Sequence, residues 1–161
     1  MRYLLLSAAA LILSGLCCCG YSTHALMRSD LQRVAMLPVD NGTSQPGIGD
    51  EMTELLVSAF NDDRRLRVTS LDAADLSVNA RLTSYARSPV AYSGDEIITA
   101  YEIVVSATVI CEDRTRNEEY YSGSLSARVS YEPDSEPEES AATRCLATLA
   151  DDIVRAIVTK W

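Results

Sequence analysis

Three consecutive cysteines, Cys17–Cys19, are the residues whose type and position most clearly predict a covalent modification. They follow a positively charged residue, Arg2, and a continuous apolar run over residues 3–16. This run is shorter than the roughly 20 residues that span a bilayer, but it matches the apolar region of a secretory signal peptide. We therefore expect export of the chain and modification of one cysteine thiol.

Cys19 fits a bacterial lipobox best, because the lipobox has an apolar residue three positions before the acylated cysteine. Leu16 fills that position for Cys19, whereas Cys17 and Cys18 have a serine and a glycine there. Gly20 follows where an aspartate would retain a lipoprotein in the inner membrane, so we expect an anchor of acyl chains in the outer membrane. A plain signal peptide with incidental cysteines is the alternative.

The remaining residues predict neither catalysis nor a metal or other cofactor. His24 is the single histidine, and no cysteine or carboxylate stands at ligand spacing from it. Adjacent carboxylates such as Asp62 and Asp63 point to different sides of a helix and are typical of a solvated surface. With 14 Lys+Arg against 23 Asp+Glu, and a net charge of −9, the chain lacks the basic surface that nucleic-acid binding requires. The composition favours a non-enzymatic binding or assembly protein.

Two amphipathic helices are predicted by apolar residues that recur at helical spacing. In the first helix these residues are Ile48, Met52, Leu55, Leu56, Ala59 and Phe60. In the second helix, after an acidic loop over residues 132–139, they are Ala142, Leu146, Leu149, Ile153, Ala156 and Ile157. Each helix therefore needs an apolar surface to pack against.

Five segments have the composition or the alternation of β-strands, namely 33–39, 66–70, 76–83, 101–112 and 121–129. The first has apolar residues at nearly every position, which predicts burial on both faces. The last three alternate apolar and polar residues, which predicts an antiparallel meander with one polar face. Ser88 and Pro89 are expected to interrupt the third strand before a turn at residues 92–95.

Together these elements predict an α+β fold of two layers, an α/β sandwich. Two amphipathic helices pack on one face of a mostly antiparallel sheet of four to five strands. Residues 1–18 are the expected lipoprotein signal peptide, residues 19–32 the lipidated N-terminus and tether, and residues 33–161 the sandwich domain.

Several short segments, in order and spacing, resemble the lipopolysaccharide (LPS)-assembly lipoprotein family LptE. The chain has Cys19-Gly20-Tyr21 at the expected mature start, and then the strand segment VAMLPVDN over residues 34–41. The helix segment GIGDEMTEL over residues 47–55, the Ala-Asp-Leu of residues 74–76 and the closing ADDIV of residues 150–154 follow. The resemblance implies an outer-membrane lipoprotein that plugs the lumen of a β-barrel translocon (LptD) and helps to deliver LPS to the outer leaflet.

If LPS binds, its phosphates require cations. The strand arginines Arg81, Arg87 and Arg128 are candidates, together with Arg64, Arg65 and Arg67 after the first helix. These arginines could equally balance neighbouring acids. Another kind of envelope lipoprotein, an activator of a penicillin-binding protein, is the alternative function, although such activators usually have a much longer linker.

Cys111 and Cys145 are the two cysteines outside the N-terminal segment. Both belong to apolar sets that should face the space between helices and sheet, and the envelope is oxidising. The sequence therefore predicts a possible disulfide between Cys111 and Cys145. Two separate buried thiols are the alternative.

Overall fold

The computed structural model describes residues 31–95 and 97–159. Along the chain, two short strands precede the first helix and one follows it. These elements are β1 (Arg33–Met36), β2 (Asp40–Asn41), α1 (Ile48–Asp63) and β3 (Arg67–Val68). A 3₁₀ turn (Leu71–Ala73) leads into β4 (Leu76–Tyr92), β5 (Ile98–Asp113), β6 (Glu118–Tyr131) and α2 (Glu138–Val158). Cys19 and His24 lie outside the described residues.

The sheet has the strand order β3-β1-β4-β5-β6, with β2 paired to β4. The three long strands β4, β5 and β6 form the expected antiparallel meander. The short strands differ, because β1 runs parallel to both β3 and β4, and β2 runs parallel to β4. Parallel neighbours need a crossover connection, and α1 provides it between β1 and β3. The predicted α+β sandwich is confirmed, with a mixed sheet of six strands in place of four to five mostly antiparallel ones.

The core lies between the helices and one face of this sheet. Alternate residues of β5 form its floor and are fully buried, namely Ile103, Val105, Ala107, Val109 and Cys111. The apolar stripes of both helices cover them with Met52, Leu56, Phe60, Leu146, Leu149, Ile153 and Ile157. On the helix-free face β5 carries Glu102, Ser106, Thr108 and Glu112, together with the apolar Val104 and Ile110. One face of the sheet is therefore apolar and covered, and the other is mostly polar and open.

Strand β4 continues beyond Pro89, which corrects the predicted interruption. The register shifts between Pro89 and Ala91, but pairing with β5 persists to Tyr92. On its other side β4 pairs with β1 and β2 only as far as Leu82. Pro89 therefore lies on an edge segment, where the missing backbone N–H of proline removes no ladder hydrogen bond.

The carboxylate of Asp75 joins the N-terminal segment to the start of β4. It is 5% exposed and accepts hydrogen bonds from the backbone N–H groups of Gln32 (3.1 Å) and Arg33 (2.9 Å). The guanidinium of Arg33 binds both carboxylate oxygens, with Nη2 2.7 Å from Oδ1. Leu31, which the sequence assigns to the tether, is already buried in the core. The first described residues are thus fixed to the sheet.

We expect Asp75→Asn to lower the free energy of unfolding at pH 7 by about 1–2 kcal/mol. Hydrogen bonds from Arg33, then from the Gln32 and Arg33 backbone, lower the pKa of Asp75. A lowered carboxyl pKa contributes stability above the unfolded value of about 3.9, and this stability is lost as the pH falls through the folded value. Denaturant unfolding at pH 7 and at pH 3 should therefore show a stability difference that shrinks in acid.

Asp63→Asn is the matched control, because Arg65 also binds Asp63 in a bidentate ion pair (2.7 Å) and also lowers its pKa. This pair links neighbours at an exposed helix end, so its loss should cost under about 1 kcal/mol. Equal losses in the two variants would contradict the role given to Asp75.

Candidate binding surface

A β-bulge in β4 decides which face of the sheet each arginine occupies. Arg81 pairs with Thr108 on the open face, but the register shifts between Leu82 and Ser84. Strict alternation would keep Arg87 on the same face as Arg81, six residues earlier. The extra residue instead turns Tyr85 and Arg87 toward the helices, opposite Val105 and Ile103.

Arg87 is the centre of a cluster that joins β4, β5, β6 and α2. Its Nε donates to the Tyr131 hydroxyl (2.6 Å) and lies 3.2 Å from the carboxylate of Glu138. Its guanidinium carbon stands 3.5 Å from the centre of the Tyr101 ring, which stacks on Tyr131 at 5.9 Å. Arg87 remains 36% exposed but is held by groups of the protein itself, so it is a weaker candidate phosphate ligand than Arg128.

Tyr85 completes this cluster through a hydrogen bond from its hydroxyl to the Glu138 carboxylate (3.2 Å). Burial, and then the negative charge of Glu138, raise the pKa of Tyr85 to about 12. Because the folded pKa lies above the ordinary value, the neutral hydroxyl contributes stability that is lost only as the pH rises through about 12. The cluster is thus fully formed at physiological pH.

Beyond this cluster β4 and β5 continue as a two-stranded hairpin. Its described parts, residues 90–95 and 97–100, pair only with each other. Large apolar side chains are exposed near its tip, including Val90, Tyr92 (59%), Ile97 (64%) and Ile98. A two-stranded ribbon is marginally stable alone, so the cluster around Arg87 supports its base. Exposed apolar residues of this kind are typical of an interaction site.

The open face of the sheet is the second candidate surface. Small hydroxyl residues dominate its β6 strand, namely Ser122, Ser124, Ser126 and Ser130. In the register Ser126 faces Ser106 and Ser124 faces Thr108, with 3.3 Å between the Thr108 and Ser124 hydroxyl oxygens. These short side chains leave a flat polar surface on which another protein can pack closely.

The six candidate arginines do not form one site. Arg81 and Arg128 share the open face, but their register positions are about 13 Å apart along the strands and about 10 Å across them. Arg81 lies 3.2 Å from Asp40, while Arg128 makes no ion pair within the described residues. Arg64, Arg65 and Arg67 lie at the opposite end of the domain from the hairpin.

Cys111 and Cys145 both face the core as expected, but they are thiols and not a disulfide. The Cys145 sulfur donates to the carbonyl oxygen of Ile103 (3.7 Å), eight positions from Cys111 on β5. Eight strand residues span about 27 Å, whereas a disulfide needs Cα atoms within about 7 Å. This geometry corrects the predicted bridge, because the residue pattern gave the buried face but not the position of α2 along the strand.

Among residues 31–95 and 97–159 no three His, Cys, Asp or Glu side chains are grouped to hold a metal ion. In the same part of the chain no helix is both long and apolar enough to cross a membrane.

The sequence matches one protein-family model. This model is described as LptE, lipopolysaccharide-assembly, and it covers residues 31–157. No curated protein matches the sequence. The match begins at Leu31 and therefore includes nearly the whole of the described domain.

Solved structures with the same fold come from several bacteria. CT253, a hypothetical protein from Chlamydia trachomatis, is 15% identical with a TM-score of 0.57, and the match covers 79% of this chain and 98% of that one. A PelC dodecamer from Paraburkholderia phytofirmans is 13% identical with a TM-score of 0.55, covering 80% and 90%. A minor lipoprotein from Acinetobacter baumannii is 17% identical with a TM-score of 0.52, covering 79% and 91%. At these identities the likeness shows the fold alone.

We expect Tyr131→Phe to lower the free energy of unfolding by about 1 kcal/mol, because the part-buried Arg87–Tyr131 hydrogen bond is lost. Amide hydrogen exchange should rise selectively in the hairpin, whose base loses this support. Tyr92→Phe removes a hydroxyl at the exposed tip and should change stability by less than about 0.5 kcal/mol. The supporting role would be wrong if hairpin exchange were the same in both variants.

Proposed function

The chain belongs to the lipopolysaccharide-assembly family LptE, and we propose that it plugs the β-barrel translocon of this system from the periplasmic side of the outer membrane. The family is one of non-catalytic envelope lipoproteins that assemble LPS. The observation that carries the proposal is the family match over residues 31–157. We propose that the chain has no catalytic activity of its own and acts by binding.

The open face of the sheet supports the contact with the barrel wall. The inside of a large outer-membrane barrel is polar and curved, so it fits a polar surface of short side chains. The row around Ser124, Ser126 and Thr108 offers hydroxyl groups as donors and acceptors with little side-chain entropy to lose. We propose this row as the centre of the interface.

The hairpin and the open-face arginines support contact with LPS. Val90, Tyr92 and Ile97 expose apolar surface that would suit acyl chains, and Arg128 offers a guanidinium without an ion pair in the described part of the chain. Arg81 is a weaker candidate because Asp40 already neutralises it. We propose these residues as contacts to LPS passing through the barrel.

We expect the acylated protein to co-purify with a large outer-membrane β-barrel from envelope extracts. Replacing Ser126 with tryptophan should reduce barrel recovery at least severalfold, because a bulky ring on the flat surface holds the two proteins apart. The measurement is quantitative mass spectrometry of the captured proteins.

Thr148→Trp is the matched control, since Thr148 is exposed on α2 in the helical layer. Equal loss of the barrel in both variants would contradict the assignment of the open face. Capture of a peptidoglycan synthase without a barrel would favour the alternative function, activation of a penicillin-binding protein.

We also propose that residues 1–18 are removed as a signal peptide and that Cys19 carries the lipid anchor, with residues 19–32 as the tether. Mass spectrometry of the mature N-terminal peptide should show an acylated Cys19 as the first residue. A first residue at Cys17 or Cys18, or an unmodified terminus, would disprove this assignment.

A further inference from the structure

A cleft rich in arginine lies where the N-terminal segment enters the domain. It has a volume of about 280 Å³ and is lined by Gln32, Arg33, Arg64, Arg65 and Arg67. No carboxylate is among these lining residues. Four guanidinium groups around one cleft are unexpected in a chain with a net charge of −9.

Two of the four arginines are neutralised, and two are not. Arg33 pairs with Asp75 and Arg65 pairs with Asp63, each at 2.7 Å. Within residues 31–95 and 97–159, Arg64 and Arg67 make no ion pair. The C-terminal end of α1 carries only about half a negative charge, which offsets part of one arginine. Counting the described residues, the cleft therefore retains a net positive charge.

Arg64 also occupies a backbone position that rarely carries a long side chain. It follows the last residue of α1 with φ of 63°, and its N–H donates to the Phe60 carbonyl oxygen (3.2 Å). Helices commonly end in glycine at this left-handed position, because other residues adopt it at a conformational cost. Arg64 lines the cleft from this position, as does Arg67 of β3.

We propose that this cleft binds the phosphate of an anionic phospholipid headgroup in the leaflet that holds the N-terminal lipid. Guanidinium groups bind phosphate oxygens through paired, charge-assisted hydrogen bonds. The membrane source rests on the proposed anchor at Cys19. Residues 19–30 then reach at most about 40 Å from lipid to domain, and Leu31, buried at this end, fixes where they enter.

The test uses the acylated full-length mature protein in phosphatidylcholine vesicles, after its lipid has been confirmed by mass. One set of vesicles contains a photoactivatable phosphatidylglycerol and a second set contains the same probe with a phosphatidylcholine headgroup. We expect the phosphatidylglycerol probe to label the peptide around Arg64–Arg67 more strongly than the phosphatidylcholine probe. The Arg64→Gln and Arg67→Gln double variant should lose about fivefold in labelling for each guanidinium removed.

The control is a double variant of Arg116→Gln and Arg155→Gln, which removes the same charge from exposed residues outside the cleft. Its labelling should stay near that of the parent protein, and circular dichroism checks that both variants are folded. Equal labelling by the two probes, or equal loss in the two double variants, would overturn the proposal. Labelling that 10-fold excess inorganic phosphate abolishes would overturn the lipid as the source and leave a site for free phosphate. None of these readouts depends on a barrel partner.

Discussion

The alternation along β5 is the constraint on which the rest of the structure depends. Its five inward residues are fully buried, while Glu102, Ser106 and Thr108 stand on the other face. A shift of one residue in the pairing would bury these polar groups and expose the core set, so the register with β4 and β6 is strongly determined. Both helices must then lie on the same side, because only that side offers an apolar surface.

Much of this architecture was predictable from sequence because it depends on periodicity. The structure confirms both helices, which the apolar stripes around Met52 in α1 and Leu149 in α2 predicted. It also confirms the meander that the alternation in β5 and β6 predicted. The parallel pairing of β1 was not predictable, since a four-residue strand contains no signal that selects its neighbours. The interruption predicted at Pro89 was wrong for a related reason. Proline argues against a central strand, but it is tolerated in an edge segment.

The candidate site was less predictable than the fold, and the bulge after Leu82 explains why. A bulge adds one residue and reverses the face of all later side chains. Arg81 therefore lies on the open face of the sheet, whereas Arg87 lies on the face that the helices cover. The alternation that predicts β4 ends at Thr83, so it does not reach Arg87 and cannot place it on a face. The contacts of Arg87 with Tyr101 and Tyr131 depend on three strands and a helix meeting at one point, which only the tertiary structure specifies.

The two ends of the domain differ in surface chemistry, since one end is charged and the other exposes apolar side chains. β4 has 17 residues and therefore spans about 55 Å, with Asp75 and the arginine cleft at its start and the apolar hairpin tip at its end. Apolar residues that were exposed beside the tether would compete for the nearest lipid surface, whereas charged residues there are attracted only to the headgroups. The exposed apolar residues of the hairpin lie at the other end of β4, away from the point where the proposed tether enters. The proposed anchor at Cys19 would thus bring the arginine cleft nearer to the membrane surface than the hairpin, and would leave the hairpin at the far end to contact a partner.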